Sequence, residues 1–191
     1  TEIMKFFGLW FRYGDYVYAD PTQPTTASEQ LTVDASGRLV SDPDAPVGVS
    51  MILPYDDEET IEFCFEKIHR MFGNVTVEKY VWRPDHPHPR CNDGKPRMEV
   101  RYAHPPMAHD FVKWFGKNKA LSPMFYQYPA HWVRSFFGGW ATGGPAPLPD
   151  DLYALCRMNH LDHETFLPLD YIEPDLTVDP DVPYRVHEGN T

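Results

Sequence analysis

Residues 47–82, VGVSMILPYDDEETIEFCFEKIHRMFGNVTVEKYVW, predict a strand, a helix and a second strand in close succession. The run VGVSMIL has the length and β-branched content of a buried strand. Acidic residues and then a closing Gly73 bound the next segment, as suits the two ends of a helix. Within it, one apolar stripe recurs at helical spacing: Ile61, Cys64, Phe65, Ile68, Met71 and Phe72. VTVEKYVW then alternates, as a strand with one buried face does.

The following segments extend this order. RMEVRYA (97–103) alternates as a strand, and PPMAHDFVKWFGKNK (105–119) begins with proline in the first helical turn, where the missing N–H costs nothing. MFYQYP (124–129) is interpreted as a last short strand. The order β-α-β-β-α-β over residues 47–130 predicts an α+β fold with a ferredoxin-like core, in which both helices cover one face of an antiparallel sheet.

The length of 191 residues favours a single domain over two. We expect the core, 47–130, to carry a β-rich N-terminal extension (1–46) and a Pro-rich C-terminal extension (131–191). In the N-terminal extension the predicted elements are a strand or hairpin around Gly14 and a short hairpin at 31–40. The C-terminal extension is predicted to contain a short helix from Asp150 or Asp151. We expect these extensions, or the partner subunit of a homodimer, to cover the sheet face without helices.

Composition and charge exclude several classes of partner. A formal net charge of −11 argues against nucleic acid, because phosphate binding needs a basic face. Arg12 and Asp15 interrupt the apolar N-terminus too early for a signal peptide or a membrane span. Three cysteines without a CxxC pair favour a reduced setting. The expected protein is cytoplasmic and acts on a small molecule, without a nucleic-acid or membrane partner.

The strand RMEVRY predicts which side chains share a sheet face. Its apolar members should pack on the helices, leaving Glu99 and Arg101 on the helix-free face. The neighbouring strands would add Ser50, Tyr126 and Tyr128. This polar and aromatic set suits a small aromatic or oxygenated ligand. The alternative is a purely structural face on which Glu99 and Arg101 satisfy each other.

The loop RPDHPHPRCND (83–93) holds His86 and His88 among three prolines. The spacing HxHxxC is a weak metal signal, since a closed site needs about four ligands. A stiff, solvated turn is the alternative interpretation. His104, at a strand end, and His131, three residues after Tyr128, are further candidates for the same site.

With this order in place, residues 47 to about 140 resemble the DOPA 4,5-dioxygenase family. The resemblance lies in EKIHRMFGNVTVEKYVWRPDHPHP (66–89) and PRMEVRYAHPPMAHDFVKWFGKNKALSPMFYQYP (96–129). It implies catechol ring cleavage by non-haem iron held largely by histidine. It places His88 at the family's loop histidine, His86 at a glycine, and Ser50 and Tyr128 at two further site histidines. Neither serine nor neutral tyrosine replaces imidazole well on Fe²⁺.

The sequence therefore predicts a metal-independent cyclase, isomerase or lyase that acts on an oxygenated aromatic or polyketide-like metabolite and needs no cofactor. His88 is predicted to be the general acid or base. Tyr126 and Tyr128 would donate to substrate oxygens, and Arg101 would stabilise developing negative charge. Glu99 would orient Arg101 or act as a second base.

Two alternatives stay open. The first is an Fe²⁺-dependent ring-cleaving dioxygenase whose metal ligands come from His86, His88, His104 and His131, and the second is a non-enzymatic small-molecule binding protein.

Overall fold

Six strands and five α-helices make up the computed structural model, which describes residues 1–19, 31–33, 35–36, 39–41 and 44–167. The strands are β1 (Gly14–Val17), β2 (Leu31–Val33), β3 (Leu39–Ser41), β4 (Gly48–Pro54), β5 (Thr76–Trp82) and β6 (Arg97–Ala103). The α-helices are α1 (Glu2–Tyr13), α2 (Glu58–Phe72), α3 (Pro105–Phe115), α4 (Ala130–Ala141) and α5 (Asp150–Met158). Two 3-10 helices span Pro123–Gln127 and His163–Phe166.

The main sheet is antiparallel throughout, with the strand order β1-β4-β6-β5. The predicted succession of strand, helix, two strands and helix over β4 to α3 is confirmed, as are the α+β class, the β2–β3 hairpin and helix α5. The connection from β4 through α2 skips one position in the sheet: β5 pairs with β6, and β6 lies between β5 and β4. The two-residue alternation predicted for the strands β5 and β6 and the 3.6-residue repeat predicted for the helices thus identified real elements.

The predicted strand at 124–129 is wrong, so the specific ferredoxin-like order is not confirmed. Its residues belong to the 3-10 helix Pro123–Gln127, which the Ser122 side chain caps by accepting from the Met124 N–H. Pro123 at the first position of this helix has the φ angle that a helical turn needs, and its missing N–H costs nothing there. The sheet position beside β4 is occupied by β1 instead, so the fourth strand comes from the N-terminal extension.

The strand or hairpin predicted for the first aromatic segment is also wrong over residues 2–13, which form α1. Phe7, Trp10 and Phe11 are spaced for one helical face and are buried. They contact Phe111 and Phe115 of α3 at ring-centroid distances between 4.7 and 6.1 Å. The intrinsic propensity of aromatic residues favours strands. Here their helical spacing places all three in the core, and the segment forms a helix.

Helices α1 and α4 touch through their backbones. A Cβ added at Gly8 would lie 1.9 Å from the carbonyl oxygen of Phe136, and one added at Gly139 would lie 1.8 Å from that of Lys5. Only hydrogen fits at either position. Helix α4 was not predicted, because the Gly138-Gly139 pair inside it weakens the helical pattern.

The two faces of the sheet are covered by different parts of the chain. Helices α1 to α5 contribute to one hydrophobic cluster that includes Met51 and Val100 of the sheet. The helices of both extensions, α1 on the N-terminal side and α4 and α5 on the C-terminal side, therefore pack on the helical face of the sheet. On the opposite face, the loop 83–96 between β5 and β6 brings His88 to Glu99.

The described helices do not reach membrane-spanning length. A bilayer needs about 20 apolar residues in helical form, whereas the longest described helix, α2, has 15 residues. None of the described helices could therefore cross a membrane. The cytoplasmic location and the homodimer stay predictions.

The backbone contact between α1 and α4 predicts opposite effects for two adjacent substitutions. Gly139→Ala should lower the free energy of unfolding by about 1–3 kcal/mol or more, because its methyl group collides with the Lys5 carbonyl. Gly138→Ala is the matched control, since a Cβ there meets nothing within 4 Å. It should raise stability by about 0.5–1 kcal/mol through its better helix propensity. Urea unfolding followed by circular dichroism measures both, and equal effects would contradict the packing.

Candidate functional site

The loop between β5 and β6 turns one of its two histidines inward. The N–H of His86 donates to the Arg83 carbonyl at 3.0 Å, and the N–H of Cys91 donates to the His88 carbonyl at 2.9 Å. These two tight turns give the histidines opposite surroundings. The His86 side chain is exposed, whereas the His88 side chain is only 12% exposed and lies over the sheet.

Glu99, on β6, is a buried carboxylate with three donors. It accepts from Trp82 Nε1 at 2.8 Å, and from Arg101 Nε and Nη2 at 2.8 and 3.4 Å. A buried charge needs such partners to offset its lost hydration. Since its oxygens are occupied by these donors, Glu99 is suited to hold Arg101 in place and not to act as the second base that the sequence suggested.

The hydrogen bonds around His88 determine which ring nitrogen carries the proton. The backbone N–H of Arg90 donates to His88 Nδ1 at 3.1 Å, so in the neutral ring Nε2 carries the hydrogen. Nε2 lies 3.7 Å from Glu99 Oε2, which is too far for a hydrogen bond. Burial lowers the pKa of His88 below its ordinary value of 6.5, and Glu99 only partly opposes this shift. At pH 7 the ring therefore presents an N–H donor that has no close acceptor among the described residues.

A second ion pair, between Asp15 and Arg90, lies beside the first. Arg90 Nη1 is 3.0 Å from Asp15 Oδ2 and also donates to the Gly14 carbonyl at 3.3 Å. Asp15 on β1 is opposite Ser50 on β4, which is in turn opposite Arg101 on β6. The pairing of β1 with β4 thus brings a carboxylate into the same row as Ser50 and Arg101.

These groups surround a recess of about 290 Å³ over the sheet. Its lining comprises Asp15, Tyr16, Val17, Tyr18, Ser50, His88, Arg90, Glu99 and Arg101. The volume is at the lower end of the roughly 300–1,000 Å³ usual for ligand pockets. The recess therefore suits a small polar molecule. It contains four of the nine predicted site residues: Ser50, His88, Glu99 and Arg101.

Sequence reasoning missed five lining residues, Asp15, Tyr16, Val17, Tyr18 and Arg90, as well as Trp82, which donates to Glu99. Asp15 lies in the segment predicted as a strand or hairpin, and nothing in that segment indicates that it pairs with β4. Trp82 has the same strand parity as Tyr80 on β5, so the alternation that identified Glu99 could also have placed it on this face. Arg90 is two residues after His88, but the direction of its side chain depends on the geometry of the turn, which the sequence pattern does not specify.

Tyr126 and Tyr128 were predicted to donate to a substrate, and the structure places both elsewhere. The Tyr126 hydroxyl donates to the Asp151 carbonyl at 3.5 Å, and that of Tyr128 to Met124 Sδ at 3.4 Å. The Tyr128 ring also packs against Phe125, which is buried among the helices. Neither lines the recess, because residues 123–127 do not form the predicted strand.

The remaining predicted histidines are also dispersed. His104 caps α3, where its Nδ1 accepts from the Met107 N–H at 3.1 Å. His131 is exposed in the first turn of α4, and His86 is exposed in the loop. Of the four histidines considered as iron ligands, only His88 lines the recess. Within the described residues, no three His, Cys, Asp or Glu side chains are placed to hold a metal. The described residues therefore do not bring together the four histidines that the Fe²⁺ alternative names, and that alternative stays a prediction.

Comparisons with known proteins assign no family. No family model, no curated protein and no solved structure matches the chain. The recess and its chemistry are thus the basis for any functional proposal.

The His88 environment predicts a specific pH dependence of stability. The folded pKa is below the unfolded one, so the unfolded chain binds the proton more tightly. The stability that neutral His88 contributes is lost as the pH falls through 6.5 towards the folded value. His88→Asn keeps an acceptor for the Arg90 N–H but cannot titrate. We expect the difference in unfolding free energy between the wild type and His88→Asn to shrink from pH 7.5 to pH 5.5.

Urea titrations at the two pH values measure this difference. Long-range ¹H–¹⁵N correlation spectra should show His88 as the Nε2–H tautomer at pH 7. An Nδ1–H tautomer, or a difference that grows on acidification, would contradict the hydrogen-bond assignment.

Proposed function

We propose that this chain is a small-molecule enzyme that catalyses a metal-independent proton transfer on a small oxygenated substrate. Isomerases, lyases and cyclases all use this step. The observation that carries the proposal is the joint placement of His88 and Arg101. One buried carboxylate, Glu99, holds Arg101 by two hydrogen bonds and has His88 Nε2 at 3.7 Å, within one small recess.

The two donors suit a carbonyl oxygen. His88 Nε2 carries a hydrogen without a close acceptor, and Arg101 Nη1 has no hydrogen-bond partner among the described residues. A substrate oxygen between them would accept from both. Negative charge that develops on this oxygen would then be stabilised by donors that are already oriented, which is an efficient source of rate enhancement. Because Nδ1 is engaged by Arg90, His88 acts as a proton donor in this proposal and not as a base.

Asp15 is the best-placed base. Its Oδ1 accepts from the Tyr16 N–H at 2.8 Å, its Oδ2 pairs with Arg90, and its side chain is 41% exposed. In the proposed step the carboxylate takes a proton from the carbon next to the carbonyl group. The C–H electron pair becomes a C=C bond, and the carbonyl π electrons move to the oxygen held by His88 and Arg101. Return of the proton to another carbon gives an isomer, and departure of a leaving group gives an elimination product.

Aromatic rings that contact His88 and Arg101, two residues lining the recess, favour a ring-bearing substrate. Trp82 lies edge-on to His88 at 4.8 Å, and the Arg101 guanidinium lies over the Tyr80 ring at 4.5 Å. The resemblance to catechol-cleaving enzymes points towards the same kind of oxygenated ring. A volume of about 290 Å³ favours one ring over a fused polyketide.

Deuterium exchange tests this proposal directly. In D₂O, the protein should accelerate deuterium incorporation next to the carbonyl group of single-ring ketones such as 4-hydroxyphenylacetone and cyclohexanone, also with EDTA present. His88→Asn and Arg101→Met should each lower the rate by about 10²–10⁴-fold, the usual contribution of one catalytic group. Asp15→Asn should abolish exchange. NMR measures the incorporation.

His69→Asn is the matched control, because His69 is exposed on α2 and stacks on Phe65 away from the recess. Its exchange rate should equal that of the wild type. Deuterium exchange by His88→Asn at the wild-type rate would contradict the proposed mechanism. Ketone binding without exchange would favour the non-enzymatic binding protein, and exchange that required added Fe²⁺ would favour the dioxygenase alternative.

A further inference from the structure

A second and larger cleft lies at the end of the sheet where β4 ends and β6 begins. Its volume is about 760 Å³, and it shares no lining residue with the recess. Four segments meet there: the end of α1, the turn after β4, the residues leading into β6, and the chain just after α4. The lining residues are Arg12, Tyr13, Pro54, Tyr55, Asp56, Lys95, Pro96, Arg97, Thr142 and Gly143. We call it the end cleft.

The end cleft has a local excess of positive charge in an acidic protein. Three cations line it, Arg12, Lys95 and Arg97, against one carboxylate, Asp56. The whole chain has a formal charge of −11. Arg97 pairs with Asp93 through Nη2, which still leaves the cations in the majority. A concave surface with such an excess attracts anions even when the protein as a whole repels them.

Arg12 is held in place without a carboxylate partner among the described residues. Its Nη1 donates to the carbonyls of Trp140 and Gly144 at 2.8 and 2.7 Å, and its guanidinium lies over the Trp140 ring at 4.5 Å. Gly143 packs so closely that an added Cβ would lie 2.5 Å from Arg12 Nε. These contacts occupy Nη1 and the Nε edge, so Nη2 stays available. A half-buried cation that is bonded only to neutral carbonyls is ready to pair with an anion.

Arg97 adds a second unused donor. Its side chain is 15% exposed, and its buried Nε has no hydrogen-bond partner in the described part of the chain. Buried N–H groups normally have a partner, so an unpaired one at a cleft indicates a missing acceptor. Carboxylate and phosphate oxygens are the acceptors that guanidinium groups bind best.

The rest of the cleft is built for an apolar or planar body. Tyr13 and Tyr55 supply aromatic rings, and Pro54 and Pro96 supply rigid apolar surface. We infer that the end cleft binds a small organic oxyanion, a carboxylate or a phosphate carried on a planar body, with Arg12 and Arg97 holding the oxyanion. This site is separate from the recess and does not depend on the reaction proposed there.

Calorimetric titration with benzoate, phenyl phosphate, inorganic phosphate and benzylamine tests the inference. The wild type should bind benzoate or phenyl phosphate, and it should not bind benzylamine. Preference for benzoate would identify a carboxylate ligand, and preference for phenyl phosphate a phosphate ester. If inorganic phosphate bound as tightly as phenyl phosphate, the planar body of the ligand would contribute nothing to binding, and that part of the inference would be contradicted.

Two substitutions isolate Arg12. Arg12→Met keeps the apolar stem over Trp140 and should weaken binding by about tenfold or more, as expected for the loss of a charge-assisted hydrogen bond. Gly143→Ala leaves the net charge unchanged but displaces the guanidinium, and it should weaken binding as well. Lys79→Met is the charge-matched control, because Lys79 is exposed on β5 outside the cleft. It should stay within about twofold of the wild type.

Several results would overturn the inference: no binding of benzoate or phenyl phosphate at about 10 mM, equal losses in Arg12→Met and Lys79→Met, or binding of benzylamine as tight as that of the anions. Circular dichroism verifies that each variant is folded. If Arg12→Met does not fold, Lys95→Met, at an exposed lining residue, replaces it with the same expected direction. His88→Asn should leave anion binding unchanged, so failure of the recess proposal and failure of this one are distinguishable.

Discussion

The direct contact between the backbones of α1 and α4 determines where the N-terminal segment lies. With Gly8 against the Phe136 carbonyl and Gly139 against the Lys5 carbonyl, α1 has one available position, beside α3 and against the sheet. The end of α1 then leads without a break into β1 at the sheet edge. Arg12 at the end of the helix lines the end cleft, and Asp15 in the strand lines the recess. Both candidate sites therefore depend on one helix–helix contact.

Much of the fold could be predicted from local patterns, and the errors occur where pairing between distant segments decides. The patterns of β4, α2, β5, β6 and α3 are clear because β4 is a continuous apolar run, β5 and β6 alternate, and the two helices each have one apolar stripe. Phe6 to Phe11 suit a strand by propensity and a helix by spacing, and packing against α3 resolves the ambiguity. The edge of the sheet was assigned to the wrong end of the chain because MFYQYP and GDYV are both short and aromatic. Nothing local in either segment specifies its partner.

The same distinction applies to the recess. Ser50, Glu99 and Arg101 were predictable since strand alternation alone places them on one face. His88 was predicted through its loop and the family resemblance. Asp15 was not predictable, because its position depends on the pairing of β1 with β4. The structure also gives two carboxylates different surroundings: Glu99 is buried and accepts from three donors, whereas Asp15 pairs with Arg90 and is 41% exposed.

The glycine contact also has a consequence for how the chain acquires its shape during synthesis. The two segments that it joins are separated by about 130 positions, so the ribosome must synthesise all the residues between them before α1 can dock on α4. The aromatic side of α1 is also covered by distant residues, Phe111 and Phe115 of α3, so it remains exposed until α3 has been synthesised. Contacts between such distant positions form late and slowly because loop closure must come first. During that interval the exposed aromatic surface of α1 is a site at which the nascent chain can aggregate.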